Sequence, residues 1–142
     1  MKRTAPAALG YNLEKLDRVA RQLDLRLVVL HGSRAEGREE YNSDIDLAVL
    51  ADGEVTADRR LQIYQRLGEV FTGAPLDISV LNGAQPTFLE MVATTGQALW
   101  ELRESEFLRF RARANGMFID AAKWQEAQRQ VLEPESPEGE DE

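Results

Sequence analysis

Cysteine is absent from the 142 residues, which excludes disulfides, thiolate zinc sites and a cysteine nucleophile. No apolar run approaches the roughly 20 residues that a membrane-spanning helix needs. The N-terminal stretch carries Lys2 and Arg3 but no apolar segment of about 7–15 residues, so it does not read as a secretory signal and the expected compartment is the cytoplasm. A basic excess is lacking as well. The formal net charge is −8, and Glu133 to Glu142 supply six acids and no base, which leaves the remainder at −2. Neither part offers the basic footprint of a protein that grips a long nucleic acid. With 43% hydrophobic and 30% charged residues, the composition is that of a soluble globular domain, and the length suits one. The expected organisation is one folded domain over residues 1–131 and an acidic, self-repelling, disordered tail over 132–142.

Hydrophobic spacing predicts alternating helices and strands. Asn12 reads as the N-cap of a helix to about Leu23, with Leu13, Leu16, Val19, Ala20 and Leu23 on one face. Leu25 to His31 reads as a buried strand and Asp44 to Leu50 as a second, closed by the turn at Ala51, Asp52 and Gly53. Thr56 can cap a helix to about Phe71 whose apolar stripe is Leu61, Tyr64, Leu67, Val70 and Phe71, stopped by Gly73 and Pro75. Leu76 to Leu81 is a third strand and Asn82-Gly83 a turn. Thr87 to Thr94 suits a short helix and Ala98 to Trp100 a short strand. Glu104 to Val131 reads as one long helix with Phe107, Phe110, Ala114, Met117, Phe118, Ala121 and Trp124 along one side. Gly116 weakens its middle by about 1 kcal/mol relative to alanine. These elements make an α/β (α+β) domain: a small mixed sheet flanked by helices, with a long C-terminal helix.

The chemistry gathers in one stretch. Gly32-Ser33 follows the first strand, ten residues intervene, and Asp44-Ile45-Asp46 opens the second; Asp77 stands near the start of the third. Strand alternation puts Asp44, Asp46 and Ala48 on one face and Ile45, Leu47 and Val49 on the other, and it separates Asp77 and Ser79 from Leu76, Ile78 and Val80 in the same way. The apolar faces should carry helices, and the acid faces should look into an open cleft. A helix joining the second and third strands implies a parallel pair. An antiparallel first pair would then bring the Gly-Ser turn to the end of the sheet where the acids lie. Asp44 and Asp46, about 6.6 Å apart along a strand, can converge on divalent metal. Two ions about 3.5–4 Å apart stabilise both the attacking and leaving oxygens in phosphoryl transfer. Asp77 can complete the attacking-side site and accept the nucleophile's proton. Gly32 lets the backbone approach a phosphate, Ser33 offers a hydroxyl, and Arg34 can neutralise triphosphate charge. Ser43 either orients Asp44 or is a turn residue.

In these residues, HGSRAEGREEYNSDIDLAVL and then PLDISVL, the chain resembles a minimal nucleotidyltransferase domain of the DNA polymerase β-like superfamily. It is similar in size to the antitoxins encoded beside HEPN-domain ribonuclease toxins. The resemblance implies a polymerase β palm-like fold and transfer of AMP from ATP to a tyrosine hydroxyl of a cognate toxin. It implies Asp44, Asp46 and Asp77 as Mg²⁺ ligands for two ions, with Asp77 as base. Gly32, Ser33, Arg34 and Ser43 would hold the nucleotide, and the protein would form a hetero-oligomer with its toxin. Where relatives read Gly-Ser-Arg-Ala-Arg-Gly, this chain has Glu36 in the second basic position; Arg34 and Arg38 keep positive charge in the loop.

The plainer readings divide unevenly. One aspartate at a strand start is an ordinary turn residue, whereas three on inward faces of apolar strands call for a function. His31, the single histidine, is expected to satisfy a hydrogen bond at its strand end. The aromatic stripe of the long helix exceeds what a small sheet can bury and points to core or a protein partner. Two other functions fit the same residues: nucleotidyl transfer to a small molecule, which generally needs a further substrate-binding domain, and non-catalytic occlusion of a partner.

Overall fold

The computed structural model describes residues 9–32, 35 and 44–132. In chain order the elements are α1 (Leu13–Gln22), β1 (Leu25–His31), β2 (Ile45–Ala51), α2 (Ala57–Gly68), β3 (Leu76–Val80), α3 (Pro86–Thr95), β4 (Gln97–Glu101) and α4 (Glu106–Leu132). The acidic residues 133–142 lie outside the described residues.

Local chemistry sets the helix starts. The Asn12 side chain accepts a hydrogen bond from the Lys15 N–H at 2.9 Å, and Thr56 Oγ1 accepts one from the Arg59 N–H at 3.2 Å. Each satisfies an amide that has no partner within its own helix. Pro86 opens α3, where its fixed φ suits the first turn and its missing N–H costs nothing. Glu101 caps α4 by accepting from the Phe107 N–H at 3.0 Å. Ser105, at φ +73°, turns the chain into that helix, so α4 begins at Glu106, two residues later than the expected start at Glu104.

The strands form one sheet in the order β3-β2-β1-β4. β2 and β3 are parallel, as their helical crossover implies, while β1 is antiparallel to both β2 and β4. One face carries α1 and α2 over a cluster that includes Val28, Leu30, Ile45, Leu47 and Val49. Leu27, Val29, Ala48 and Leu50 belong to the opposite face, packed with Leu89 and Val92 of α3 and Phe110 and Ala114 of α4. The acid-bearing face is therefore not an open cleft along its length. Ala48 is fully buried, and among the described residues the end of that face holding the aspartates is what stays uncovered.

Helix phase departs from the sequence reading at several positions. Leu13 is 58% exposed; Leu61 and Tyr64 of α2 are 56% and 48% exposed, while Ile63 is fully buried. Two apolar stripes about one residue apart in phase exist on α2. Docking on the sheet selects Ile63 in place of Leu61 and Tyr64 and keeps Leu67 of the predicted stripe, while Val70 and Phe71, just beyond the helix, are buried in the same cluster. The α2 helix also ends at Gly68, before Gly73 and Pro75 are reached. In α4 only Glu106, Phe110 and Ala114 are buried; Phe107 is partly buried against the same cluster, and Met117, Phe118 and Trp124 of the predicted stripe are exposed. A helix of 27 residues is about 40 Å long, more than this sheet can cover.

Among the described residues Glu106 is the one buried carboxylate, 1% exposed, and it is met by three guanidinium groups: Arg26 and Arg103 at 3.2 Å and Arg109 at 3.7 Å. An uncompensated charge there would be costly. Arg26 ties the N-terminus of α4 to β1, while Arg103 and Arg109 add positive charge from the helix start itself.

Two stability predictions follow from the packing. Gly116 lies in unbroken helix with nothing within 4 Å of a Cβ built on it, so Gly116→Ala should raise unfolding free energy by about 1 kcal/mol, read by urea denaturation. Trp100 Nε1 donates to Asp17 Oδ1 at 2.8 Å. That bond, assisted by Arg21, holds the Asp17 carboxyl below its ordinary value of 3.8 against a smaller opposing effect of burial. A depressed carboxyl pKa stabilises the fold above the unfolded value, and the contribution disappears as pH falls through the folded value. The stability gap between wild type and Trp100→Phe should therefore narrow as pH is lowered below about 4, measured by urea unfolding at pH 7 and pH 3.

Candidate active site

The backbone leaves β1 in an unusual way. Gly32 has φ +79°, and a Cβ built on it would overlap Asp46 Oδ2 and stand 3.1 Å from Asp46 Cγ. Glycine is required twice here, once for the left-handed backbone and once for the close approach to a carboxylate. Asp46 pairs in register with His31 of β1 on one side and with Asp77 of β3 on the other. Neighbouring strands lie about 4.8 Å apart, so the two carboxylates start from adjacent positions on one sheet edge. Asp44 immediately precedes β2 and is exposed, Asp77 is exposed, and Asp46 is half-buried. The Ile45 N–H donates to the Pro75 carbonyl at 2.8 Å, which ties the starts of β2 and β3 together.

Gly32, Asp44, Asp46 and Asp77 thus gather at one end of the sheet, brought by three separate segments. Ser33, Arg34 and Ser43, with Glu36 and Arg38, lie outside the described residues. Among the described residues no three acidic or histidine side chains form a group able to hold a metal ion by themselves. The donor set still suits Mg²⁺, a hard cation that is usually bound by one or two carboxylates together with substrate phosphates and water, not by an all-protein cage.

His31 is the residue that pattern reading undervalued. It is 9% exposed, its ring meets Phe88 edge-on at 5.7 Å between centroids, and its Nε2 is buried without a hydrogen-bond partner among the described residues. Burial pushes its pKa down; the negative charges of Asp46 and Asp77 and a hydrogen bond with the Leu47 backbone oppose that shift without overcoming it. The imidazole is consequently neutral at pH 7 and adds no positive charge beside the acids. One ring nitrogen behaves as expected of a strand-end histidine, and the other does not. No spacing rule could have announced this, because it depends on the β1–β2 register and on Phe88 arriving from α3.

Strand order and a sheet end lined by carboxylates define the fold as that of a nucleotidyltransferase domain. A family model described as polymerase beta, nucleotidyltransferase matches residues 14–105, and the chain belongs to that family. Two curated relatives carry the name protein adenylyltransferase MntA. The one from Shewanella oneidensis is 32% identical over 59% of this chain and 60% of its own length. The one from Aphanizomenon flos-aquae is 34% identical over 63% of this chain and 65% of its own length. The matched stretch thus spans less than two thirds of either relative. A solved toxin-antitoxin structure with AMP-PNP superposes with a TM-score of 0.64 at 28% identity, covering 85% of this chain and 94% of that one.

Proposed function

We propose that this protein is an antitoxin that transfers AMP from ATP to a tyrosine hydroxyl of a cognate HEPN-type toxin, in the cytoplasm and with Mg²⁺. The observation that carries the reading is the register pairing of Asp46 with Asp77 beside the Gly32 turn. It is the arrangement a phosphoryl-transfer site needs: a backbone that can approach phosphate next to carboxylates that can share divalent metal. Two relatives named as protein adenylyltransferases support the choice of reaction, and a toxin-antitoxin neighbour with AMP-PNP supports the nucleotide and the partner.

In this reading Asp44 and Asp46 hold Mg²⁺, with Asp77 as the third ligand. Two Mg²⁺ ions held there would neutralise triphosphate charge and favour ionisation of the acceptor hydroxyl. Gly32 and Ser33 receive the phosphates, Ser43 orients Asp44, and Arg34 offsets the negative charge of the leaving group. The tyrosine oxygen forms a bond to the α-phosphorus as the bond from that phosphorus to the β-phosphate oxygen breaks. Pyrophosphate leaves, and the hydroxyl proton passes to Asp77.

The test is an incubation of the protein with α-labelled ATP, Mg²⁺ and the purified toxin. Label should appear on the toxin in a Mg²⁺-dependent way and should map to tyrosine. Neutralisation of the toxin with no label transferred would replace this reading with occlusion. Label on an added small-molecule alcohol in preference to the toxin would move the activity to the antibiotic-modifying class.

A further inference from the structure

We infer that the distal half of α4, from Met117 to Leu132, is the surface on which the toxin docks, and that it receives a helical element flanked by basic side chains. This rests on the reading of the protein as a toxin-modifying enzyme, and it adds where the acceptor protein is held.

The seam is continuous with the domain's own core. Phe110, Ala114, Met117, Ala121 and Trp124 follow spacings of four and three, and Val131 falls one heptad beyond Trp124. Phe110 and Ala114 are 3% and 1% exposed, whereas Met117, Trp124 and Val131 are 40%, 64% and 76% exposed. The same stripe that packs under α3 and the sheet therefore runs on into solvent for about four more turns. Phe118 broadens it. A helical stretch of this length has little stability of its own without packing on an apolar face, and a four-three repeat is the pattern that seats another helix. It measures about 24 Å, the reach of an ordinary globular-protein helix.

Charge selects the kind of partner. Asp120, Lys123, Glu126 and Arg129 balance within the distal half, and the six acids of 133–142 follow it directly with no base among them. An apolar seam running into a strongly acidic segment complements an apolar groove bordered by lysine and arginine. Met117 to Leu132 include none of the residues gathered at the carboxylate end of the sheet, Gly32, Asp44, Asp46 and Asp77. Docking there should tether the acceptor equally in ground and transition states, so its loss should appear in KM and not in kcat.

The experiment uses the full chain and the purified toxin. It compares wild type, Trp124→Glu, Trp124→Leu and a chain ending at Leu132, by calorimetric Kd and by labelled-ATP kinetics, with thermal melting as the check on folding. Trp124→Glu should weaken Kd and raise KM at least tenfold with kcat unchanged, and Trp124→Leu should retain most of the affinity. The shortened chain should bind more weakly and with a reduced salt dependence. Unchanged Kd in Trp124→Glu overturns the docking surface and leaves the proposed activity standing. Binding lost in Trp124→Glu, with wild type transferring no label, upholds the docking surface and overturns the activity. Wild type failing to bind the toxin overturns the docking surface, as does a wild-type homodimer that Trp124→Glu dissociates while toxin affinity is unchanged.

Discussion

Replacing Asp46 by alanine is expected to reduce nucleotidyl transfer at least about 1000-fold while the domain stays folded. A divalent ion contributes several kcal/mol to stabilising charge in the transition state, and about 4 kcal/mol corresponds to three orders of magnitude in rate. Asp46 is the carboxylate flanked in register by both His31 and Asp77. The fold should tolerate the change, because Asp46 is half-buried at the sheet end and the core face of β2 is supplied by Ile45, Leu47 and Val49. Label transfer to the toxin over a Mg²⁺ titration measures the loss, and a thermal melt checks the fold. The same variant reports on local geometry. The negative charge of Asp46 holds the His31 pKa up against burial, so removing it should lower that pKa further, observed by NMR titration of the imidazole. Retained transfer, or an imidazole that titrates as in wild type, would contradict the site as described.

Gly32→Ala should be nearly as damaging through a different physical route. Alanine at φ +79° carries a backbone cost of about 1–2 kcal/mol, and its methyl group would occupy the space of Asp46 Oδ2. Either the turn moves away from the carboxylate or the carboxylate rotates out of place. A displacement near 1 Å at a reacting centre costs on the order of 100-fold in rate. The expected outcome is a drop of that size in kcat, with the melting temperature lowered by a few degrees, consistent with about 1–2 kcal/mol in a domain of this length. Gly32→Ala with wild-type kcat would mean that the close approach to Asp46 has no part in the reaction.

Much of the domain is legible in the residues because its signals are local. Caps at Asn12 and Thr56 depend on side chains reaching amides three residues away. The strand from Leu25 to His31 is a short apolar run bounded by turn residues, and its limits in the structure are those the pattern suggests. The parallel pairing of β2 with β3 follows from the helix between them. The structure departs from the pattern where a choice depends on a distant surface. The phase of α2 is decided by the sheet, which buries Ile63 and leaves Leu61 outside. The open cleft expected over the acid-bearing strands is mostly filled by α3 and α4, which lie far along the chain and come back to cover Ala48 and Leu50.

The candidate site divides in the same way. The aspartates and the glycine are readable as residue types at a spacing, since phosphate and divalent metal demand hard oxygen donors and an unobstructed backbone. By itself the sequence determined the family, the element order and which acids to compare, because each of these rests on contacts between near neighbours or on the chemistry of single side chains. Tertiary structure alone decided that Asp46 stands between His31 and Asp77 and that Gly32 has no room for a methyl group. It also decided that α4 runs past its own domain with Trp124 exposed. Those facts depend on strand register and on how far a finite sheet extends, and register and extent are set when the whole chain packs.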